Sequence, residues 1–233
     1  MIITKKKDRG KLLQTLDKYN SFYLIGCSEC AALCGTGNDE ALKEMAGDLQ
    51  AKGKTVTGMI IPKTGCQTLG TKVELKKDKE ALDNTDCIVV MSCGAGTQSA
   101  VEIYPDKAVY PSNDSLFLGN MTRFQMFDER CSLCGDCVIE KTGSICPVTN
   151  CPKGILNGPC GGMKDGNCEV SADIKCAWVR IYERQKKLGE LDKMEEIIPA
   201  KDWSAKQGPH KLYTRGDKEA AGDSKKSKEK KEK

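Results

Sequence analysis

Residues 21–62 read SFYLIGCSECAALCGTGNDEALKEMAGDLQAKGKTVTGMIIP. The β-rich runs SFYLIGC and TVTGMIIP flank a segment whose apolar residues recur at helical spacing: Ala41, Leu42, Met45, Ala46 and Leu49. Gly53 follows that segment, in the position where glycine commonly ends a helix. The stretch therefore predicts a strand, a helix and a second strand.

The same alternation continues along the chain. A polar, helical segment over 71–83 precedes the β-rich run DCIVVMSC at 86–93, and AVYP and SLFLGN within 108–120 have the composition of short late strands. Strands that alternate with helices favour a parallel sheet with right-handed crossovers. We predict an α/β fold over residues 1–125, a small doubly wound domain of the flavodoxin-like or Rossmann-like kind.

The composition changes near residue 125. Residues 131–176 combine Gly, Pro and Cys with few large apolar side chains, so bound metal has to stabilise this stretch. The sequence WVRIYERQKKLGELDKMEEI then predicts a helix with this apolar stripe: Trp178, Ile181, Tyr182, Leu188, Leu191 and Met194. We predict a cysteine-rich, metal-stabilised domain with a C-terminal helix over 126–204, and a disordered charged tail over 205–233.

The chain contains 14 cysteines. Met1 is followed by ITKKKDRG, which lacks the apolar core of an export signal, and the apolar runs are too short to span a bilayer. We therefore expect a soluble, cytoplasmic protein with no membrane span. In a reducing cytoplasm, thiols more often bind metals than form disulfides.

Charge gives little indication of a nucleic-acid partner. The last ten residues, SKKSKEKKEK, contain six Lys and two Glu and account for the whole net charge of +4. The remaining chain is balanced, so we expect no nucleic acid among the partners. A zinc-ribbon domain that binds nucleic acid through the lysine tail is the alternative, and it predicts salt-dependent retention on DNA or RNA.

The first cysteines of the C-terminal set have the spacing Cys131-x2-Cys134-x2-Cys137. Two thiolates at this spacing can bind one zinc ion together with other ligands, and zinc is the main alternative, but a third thiol three residues on is typical of a loop around a [4Fe–4S] cluster. The Cys-Pro pairs at Cys146 and Cys151 support the cluster, because a Cys-Pro supplies the distant ligand in ferredoxin-like loops.

Three further cysteines complete this set of eight: Cys160, Cys168 and Cys176. Eight thiolates divide into four and four, and the only histidine, His210, lies in the predicted tail. The region is thus predicted to hold two [4Fe–4S] clusters, or one cluster and one zinc ion bound by four cysteines.

The N-terminal domain carries a second set of thiols. Cys27 ends the first predicted strand, and Cys30 and Cys34 follow in the turn before the helix. Open α/β sheets bind ligands at the carboxyl ends of their strands. Cys93, at the end of a later strand, is the preferred fourth ligand, and Cys66 is the alternative or an additional one. Two or three clusters in total are predicted.

Two glycines follow Cys93 in the run CGAGTQ. Gly94 and Gly96 permit close backbone approach, and we predict that they contact the bound cofactor. They do not complete a dinucleotide fingerprint, because Ser99 occupies the third glycine position and the second strand lacks a terminal acid. Cys87 lies among Ile and Val and is predicted to be a core thiol.

The sequence also resembles a known family. CSLCGDCVIEKTGSICPVTNCPKGILNGPCGG, followed by GNCEV and CAWVRIYERQKKLGELD, resembles the cysteine-rich C-terminal-type domain associated with methylenetetrahydrofolate reductase. GCSECAALCGTG, CGAGTQ and LFLGN are similar to the preceding half of the same small proteins. The resemblance covers roughly residues 20–205 and is to the small iron–sulfur subunit of acetogenic bacteria.

This resemblance implies a non-catalytic accessory subunit. Its partner would be the flavin-containing catalytic subunit, which interconverts methylene- and methyl-tetrahydrofolate in the Wood–Ljungdahl pathway, and its electrons would come from ferredoxin or another electron-donating complex. The resemblance also implies zinc as an alternative at one site. The residues agree in one respect, because no flavin site, acid/base pair or P-loop pattern is visible. A metal-stabilised docking subunit without electron transfer is the alternative function.

Overall fold

The computed structural model describes residues 1–212 of the chain. Of the tail predicted over 205–233, residues 213–233 lie outside the described part. The described chain forms two compact units. Among the described residues, the first comprises 1–132 and 138–198, and the second comprises 133–137 and 199–212.

Strands and helices alternate through the first half of the chain. The strands are β1 Ile2–Lys6, β2 Ser21–Ile25, β3 Thr55–Ile60, β4 Cys87–Val90, β5 Ala108–Pro111, β6 Asn113–Arg123 and β7 Met126–Cys131. The α-helices are α1 Arg9–Leu16, α2 Cys30–Leu33, α3 Asp39–Ala51, α4 Thr68–Leu75, α5 Lys79–Asp83, α6 Gly94–Ile103, α7 Pro147–Asn150 and α8 Ala177–Leu188. Short 3-10 helices lie at Lys76–Asp78, Ile139–Lys141, Leu191–Met194 and Trp203–Lys206.

Four strands form a parallel sheet in the order β3-β2-β4-β5. This is the order of the first four strands in flavodoxin-like sheets, and it confirms the predicted α/β fold with a parallel sheet. After β2, the chain adds β3 on one side of this strand and then β4 on the other side, so the order of strands reverses between β2 and β4. Ligands of open α/β sheets bind at such a switch point, beyond the carboxyl ends of the strands.

Helices cover both faces of this sheet. On one face, α1 and α3 pack through a core that contains Leu12, Leu16, Leu42, Met45 and Leu49. On the other face, the core contains Leu75, Leu82 and Ala100 from α4, α5 and α6. The strand residues between them are buried on alternate sides, as in a sheet that is covered twice. Each fully buried Leu or Met contributes roughly 1.5–3 kcal/mol to stability.

A second, antiparallel sheet has the order β1-β6-β7. Both short late strands predicted within 108–120 are strands in the structure, but they belong to different sheets. AVYP is β5 of the parallel sheet, whereas SLFLGN lies inside the eleven-residue β6 of the antiparallel one. β6 pairs with β1, the first strand of the chain, and with β7, the strand that follows it. The composition of residues 113–123 alone does not specify these partners.

The helix predicted from residue 177 ends earlier than its apolar pattern indicates. α8 stops at Leu188, and Gly189 adopts a left-handed conformation with φ of 71°. Trp178 and Ile181 are buried, whereas Tyr182, Leu188 and Leu191 are exposed. The prediction of one continuous apolar stripe was therefore wrong: Tyr182 and Leu188 are exposed within the helix, and the glycine ends the helix before Leu191 and Met194.

Candidate functional site

Three neighbouring strands of the parallel sheet each lead to a cysteine. Cys27 follows β2, Cys66 lies in the loop after β3, and Cys93 is the residue immediately before α6. Because β2 lies between β3 and β4, their carboxyl ends are adjacent. Cys27 and Cys93 flank the switch point of the sheet.

The thiol of Cys66 interacts electrostatically with the neighbouring thiols, although Cys66 itself is exposed. Burial raises the pKa of the Cys66 thiol, and the nearby thiols of Cys93, Cys27 and Cys30 raise it further. Cys27 and Cys93 are only 6% and 9% exposed, so solvent has little access to either residue. This arrangement groups Cys66, the alternative ligand in the sequence analysis, with three of the preferred ones.

The loop that carries Cys66 also contacts Cys27 directly. The backbone N–H of Gly65 donates to the Sγ of Cys27 at 3.4 Å. Amide donors to cysteine sulfur are among the contacts that set the potential of iron–sulfur clusters. Cys34, the other predicted ligand, ends α2 one turn beyond Cys30 and is half-buried.

Close backbone packing holds the thiol-bearing loops at this edge. A Cβ on Gly37 would collide with the carbonyl oxygen of Met91, and the N–H of Cys27 donates to the carbonyl of Gly37 at 3.1 Å. A Cβ on Gly96 would collide with Ser92 and lie 3.4 Å from the backbone of Gly65. Gly96 thus lets α6 and the Cys66 loop approach each other, while cofactor contact by Gly94 and Gly96 stays a prediction.

Four cysteines of the C-terminal region line a single cavity. They are Cys151, Cys160, Cys168 and Cys176. The other walls include Met163, Ala177 and Trp178, and at the rim Lys153 forms an ion pair with Glu169. The carboxylate of Glu169 accepts from the Sγ of Cys160 at 3.6 Å.

Local structure places two of these thiols on one turn. The N–H of Cys168 donates to Ile174 at 2.8 Å, and the N–H of Cys176 donates to Gly166 at 3.0 Å. Gly166 has a positive φ of 78°, which its lack of a side chain permits. From the start of α8, the Nε1 of Trp178, which lines the cavity, donates to the carbonyl of Ile155 at 3.0 Å.

The remaining C-terminal thiols lie upstream. Cys131 is the last residue of β7, and Cys146 is the residue before α7, where its Sγ lies 3.6 Å from the Oγ1 of Thr149. Cys134 and Cys137 belong to the second compact unit. A joint metal site of these four cysteines stays a prediction from their spacing.

Within the second unit, a lysine lies beside Cys134. Burial lowers the pKa of Lys201, but hydrogen bonds to Cys134 and Asp136 raise it more, so the pKa lies above its usual value. Nζ of Lys201 donates to the carbonyl of Asp136 and lies 3.4 Å from its carboxylate. The sequence analysis had no signal for this cation.

The cysteines of the two sets are not arranged as a closed metal site in the structure. Among residues 1–212, no group of three or more Cys, His, Asp or Glu side chains is gathered in an arrangement that could hold a metal ion. Cys87, by contrast, is fully buried in the core under α1 and α3, which confirms its prediction as a core thiol.

Residues 110–204 match the family model described as methylene-tetrahydrofolate reductase C terminal. This range contains all eight cysteines of the C-terminal set together with β6, β7 and α8. The match supports the reductase-related resemblance of the cysteine-rich region. No curated protein and no solved structure matches the chain. None of the helices among residues 1–212 combines the length and apolarity needed to cross a membrane.

Proposed function

We propose that the protein is a cytoplasmic, non-catalytic iron–sulfur subunit of a methylenetetrahydrofolate reductase. It passes electrons to or from the flavin of the catalytic subunit in the methyl branch of the Wood–Ljungdahl pathway, with ferredoxin or another electron-donating complex on its other side. The observation that carries this proposal is the family match over 110–204, a range with eight cysteines of which four line one cavity.

The thiols of the parallel sheet fit one [4Fe–4S] cluster. Cys27, Cys30, Cys66 and Cys93 supply four sulfur donors, and Cys34 is the alternative ligand on the same loop. A set of four cysteine thiolates suits an iron–sulfur cluster or zinc, because both can be bound by cysteine alone, without His or carboxylate ligands. A bound [4Fe–4S] cluster supplies one-electron transfer. The chain's own residues exclude water through the buried Cys27 and Cys93 and donate the Gly65 amide to sulfur.

The number of C-terminal thiols supports two four-cysteine sites in the C-terminal region. The cavity that Cys151, Cys160, Cys168 and Cys176 line together supports one site of these four thiols. For Cys131, Cys134, Cys137 and Cys146, the support for a cluster is the CxxCxxC spacing in the sequence together with the Cys-Pro pair at Cys146. Lys153 and Glu169 place one charge of each sign at the rim of the first site.

A metal-stabilised docking subunit is the second candidate function. Between residues 131 and 176, the buried positions are only Val138, Thr142, Gly143 and Pro147. Such a small core needs ligated metal for stability, as structural zinc sites provide. Zinc in the four-cysteine cavity is therefore the alternative to a second C-terminal cluster.

Metal and acid-labile sulfide analysis of the full chain, purified without oxygen, tests the proposal. About twelve irons with equal sulfide would indicate three clusters, and about eight irons with one zinc would indicate two clusters and a structural site. A protein with zinc alone would contradict electron transfer.

Single substitutions identify the ligands of the N-terminal site. Cys66→Ser and Cys93→Ser should each remove about four irons, whereas Cys34→Ser should retain them. Cys87→Ala is the matched control, since this thiol lies in the core and should leave the iron content unchanged. Loss of iron in Cys34→Ser with retention in Cys66→Ser would reverse the ligand assignment.

A further inference from the structure

The start of β6 lies against both loops that carry the N-terminal thiols. Asn113, the first residue of this strand, is only 4% exposed. Its Nδ2 donates to the carbonyl of Thr36 at 3.3 Å and to the carbonyl of Ser92 at 3.3 Å. Thr36 lies in the loop after Cys34, and Ser92 immediately precedes Cys93. One side-chain amide thus joins the two loops.

All the hydrogen-bonding groups of this amide are engaged. Its two N–H donors are used on the two carbonyls, and its Oδ1 accepts from the hydroxyl of Ser112 at 3.2 Å. Both carbonyls belong to buried residues, and removing the amide would leave them without this donor. Such a loss is costly in a protein interior, because water cannot replace the donor.

A second residue of β6 holds the same turn. The Oγ of Ser115 accepts from the backbone N–H of Gly94 at 2.9 Å. Gly94 follows Cys93 and begins α6, so the strand contacts the chain on both sides of this cysteine. On the other loop, the hydroxyl of Thr36 donates to Ala31 at 3.1 Å and pairs with the hydroxyl of Thr4 at 2.7 Å. The antiparallel sheet is therefore tied to both thiol-bearing loops through polar contacts.

We infer that Asn113 is a positioning residue for the N-terminal thiol site. Its amide fixes the separation between the loop of Cys27 and Cys30 and the turn of Cys93, while Ser115 orients the amide that follows Cys93. The inference rests on the proposed function, in which these thiols hold a metal. Outer residues that orient metal ligands typically change metal affinity by about 10–100-fold when they are removed.

The test compares the full-length wild type with Asn113→Ala and Asn113→Leu, the latter of which keeps most of the side-chain volume without the donors. Iron release to a chelator should be at least about tenfold faster in both variants. Amide hydrogen exchange over 26–38 and 91–97 should rise at least about tenfold. Asn120→Ala is the matched control, because Asn120 lies exposed in the same strand and bonds only Arg130 among the described contacts of its side chain.

Ser115→Ala is a milder second variant. Ser115 is exposed, so its loss should leave the fold intact. Exchange should then increase over 91–97 but not over 26–38, because only the contact with Gly94 is removed. This variant keeps the inference testable if the Asn113 variants do not fold.

The outcomes separate the inference from the proposed function. If the wild type holds more iron than Cys93→Ser, but the Asn113 variants release iron at the wild-type rate, the positioning role is overturned and the site stands. If the wild type and Cys93→Ser hold equal metal, the proposed site is overturned. Hydrogen exchange of the metal-free chain then decides the positioning role, and unchanged exchange in Asn113→Ala contradicts it.

Discussion

At the residue scale, Cys87 differs from the other thiols of the sheet. It begins β4 in the centre of the parallel sheet and is fully buried. Burial, and then the carboxylate of Asp86, raises the pKa of Cys87 to about 12, whereas Lys18 lowers it slightly. A buried thiol of this kind is inert to ligands and reagents while the chain is folded.

This shift predicts how stability depends on pH. The folded pKa lies above the ordinary value of 9.0, so the stabilisation by neutral Cys87 is complete below about pH 9. It should be lost as the pH rises from about 9 to about 12, by at most about 1.4 kcal/mol per pH unit. Cys87→Ala should therefore show a shallower fall in the free energy of unfolding over this range.

Urea unfolding at several alkaline pH values measures the two slopes. Tyr23 also titrates in the alkaline range, with its pKa raised by burial and by its hydrogen bond to Asp78. Its contribution is the same in both proteins and cancels in the comparison. Equal slopes for wild type and Cys87→Ala would contradict the assignment of this pH dependence to Cys87.

At the scale of elements, periodicity predicted the parts of the fold in which burial is local. α3 and the strands β2, β3 and β4 were found because each has a regular apolar pattern and packs in the covered sheet. The antiparallel sheet was not found. β1 contains three polar residues of five, and β7 is mostly exposed, so neither has the pattern of a buried strand.

The candidate site was predictable to a similar degree. Cys27 and Cys93 could be placed at strand ends because strand positions follow from hydrophobicity. Whether Cys66 or Cys34 lies nearer to them depends on the path of two loops, and the sequence does not specify that path. Asn113 could not be found at all, because its importance comes from contacts with Thr36 and Ser92, which are distant in sequence.

A pair of glycines tests how closely α3 and the loop before it are packed. Gly37→Ala should lower the free energy of unfolding by roughly 1–3 kcal/mol and reduce iron at the N-terminal site, because its Cβ would collide with the backbone of Met91. Gly47→Ala is the matched control on α3, where an added Cβ meets no atom within 4 Å. It should raise the free energy of unfolding by roughly 0.5–1 kcal/mol and leave iron unchanged.

Urea unfolding and iron analysis of both variants measure these effects. The opposite signs of the two changes separate close packing from the general effect of replacing glycine. A Gly37→Ala protein with wild-type stability and iron content would show that the loop between α2 and α3 tolerates a shift away from Met91.

At the scale of the whole molecule, the question is whether metal serves electron transfer or only stability. The small core between 131 and 176 accounts for metal there by stability alone. The parallel sheet is different, because it has two extensive apolar cores of its own. Thiols at its switch point are not needed to hold the sheet together, and this favours a functional role for a metal bound there.

The two functions therefore predict different results for the reductase complex. Under electron transfer, Cys93→Ser and Cys134→Ser should each lower the rate at which the donor reduces the partner's flavin, by at least about tenfold, even where gel filtration shows that the complex still forms. Cys87→Ala should keep the wild-type rate, and so should removal of residues 221–233, which lie outside the described residues.

Under docking alone, both serine variants should retain the rate wherever the complex is intact, since the metal would then act only through the fold. Wild-type rates in both variants, with iron missing from the altered sites, would identify a docking subunit.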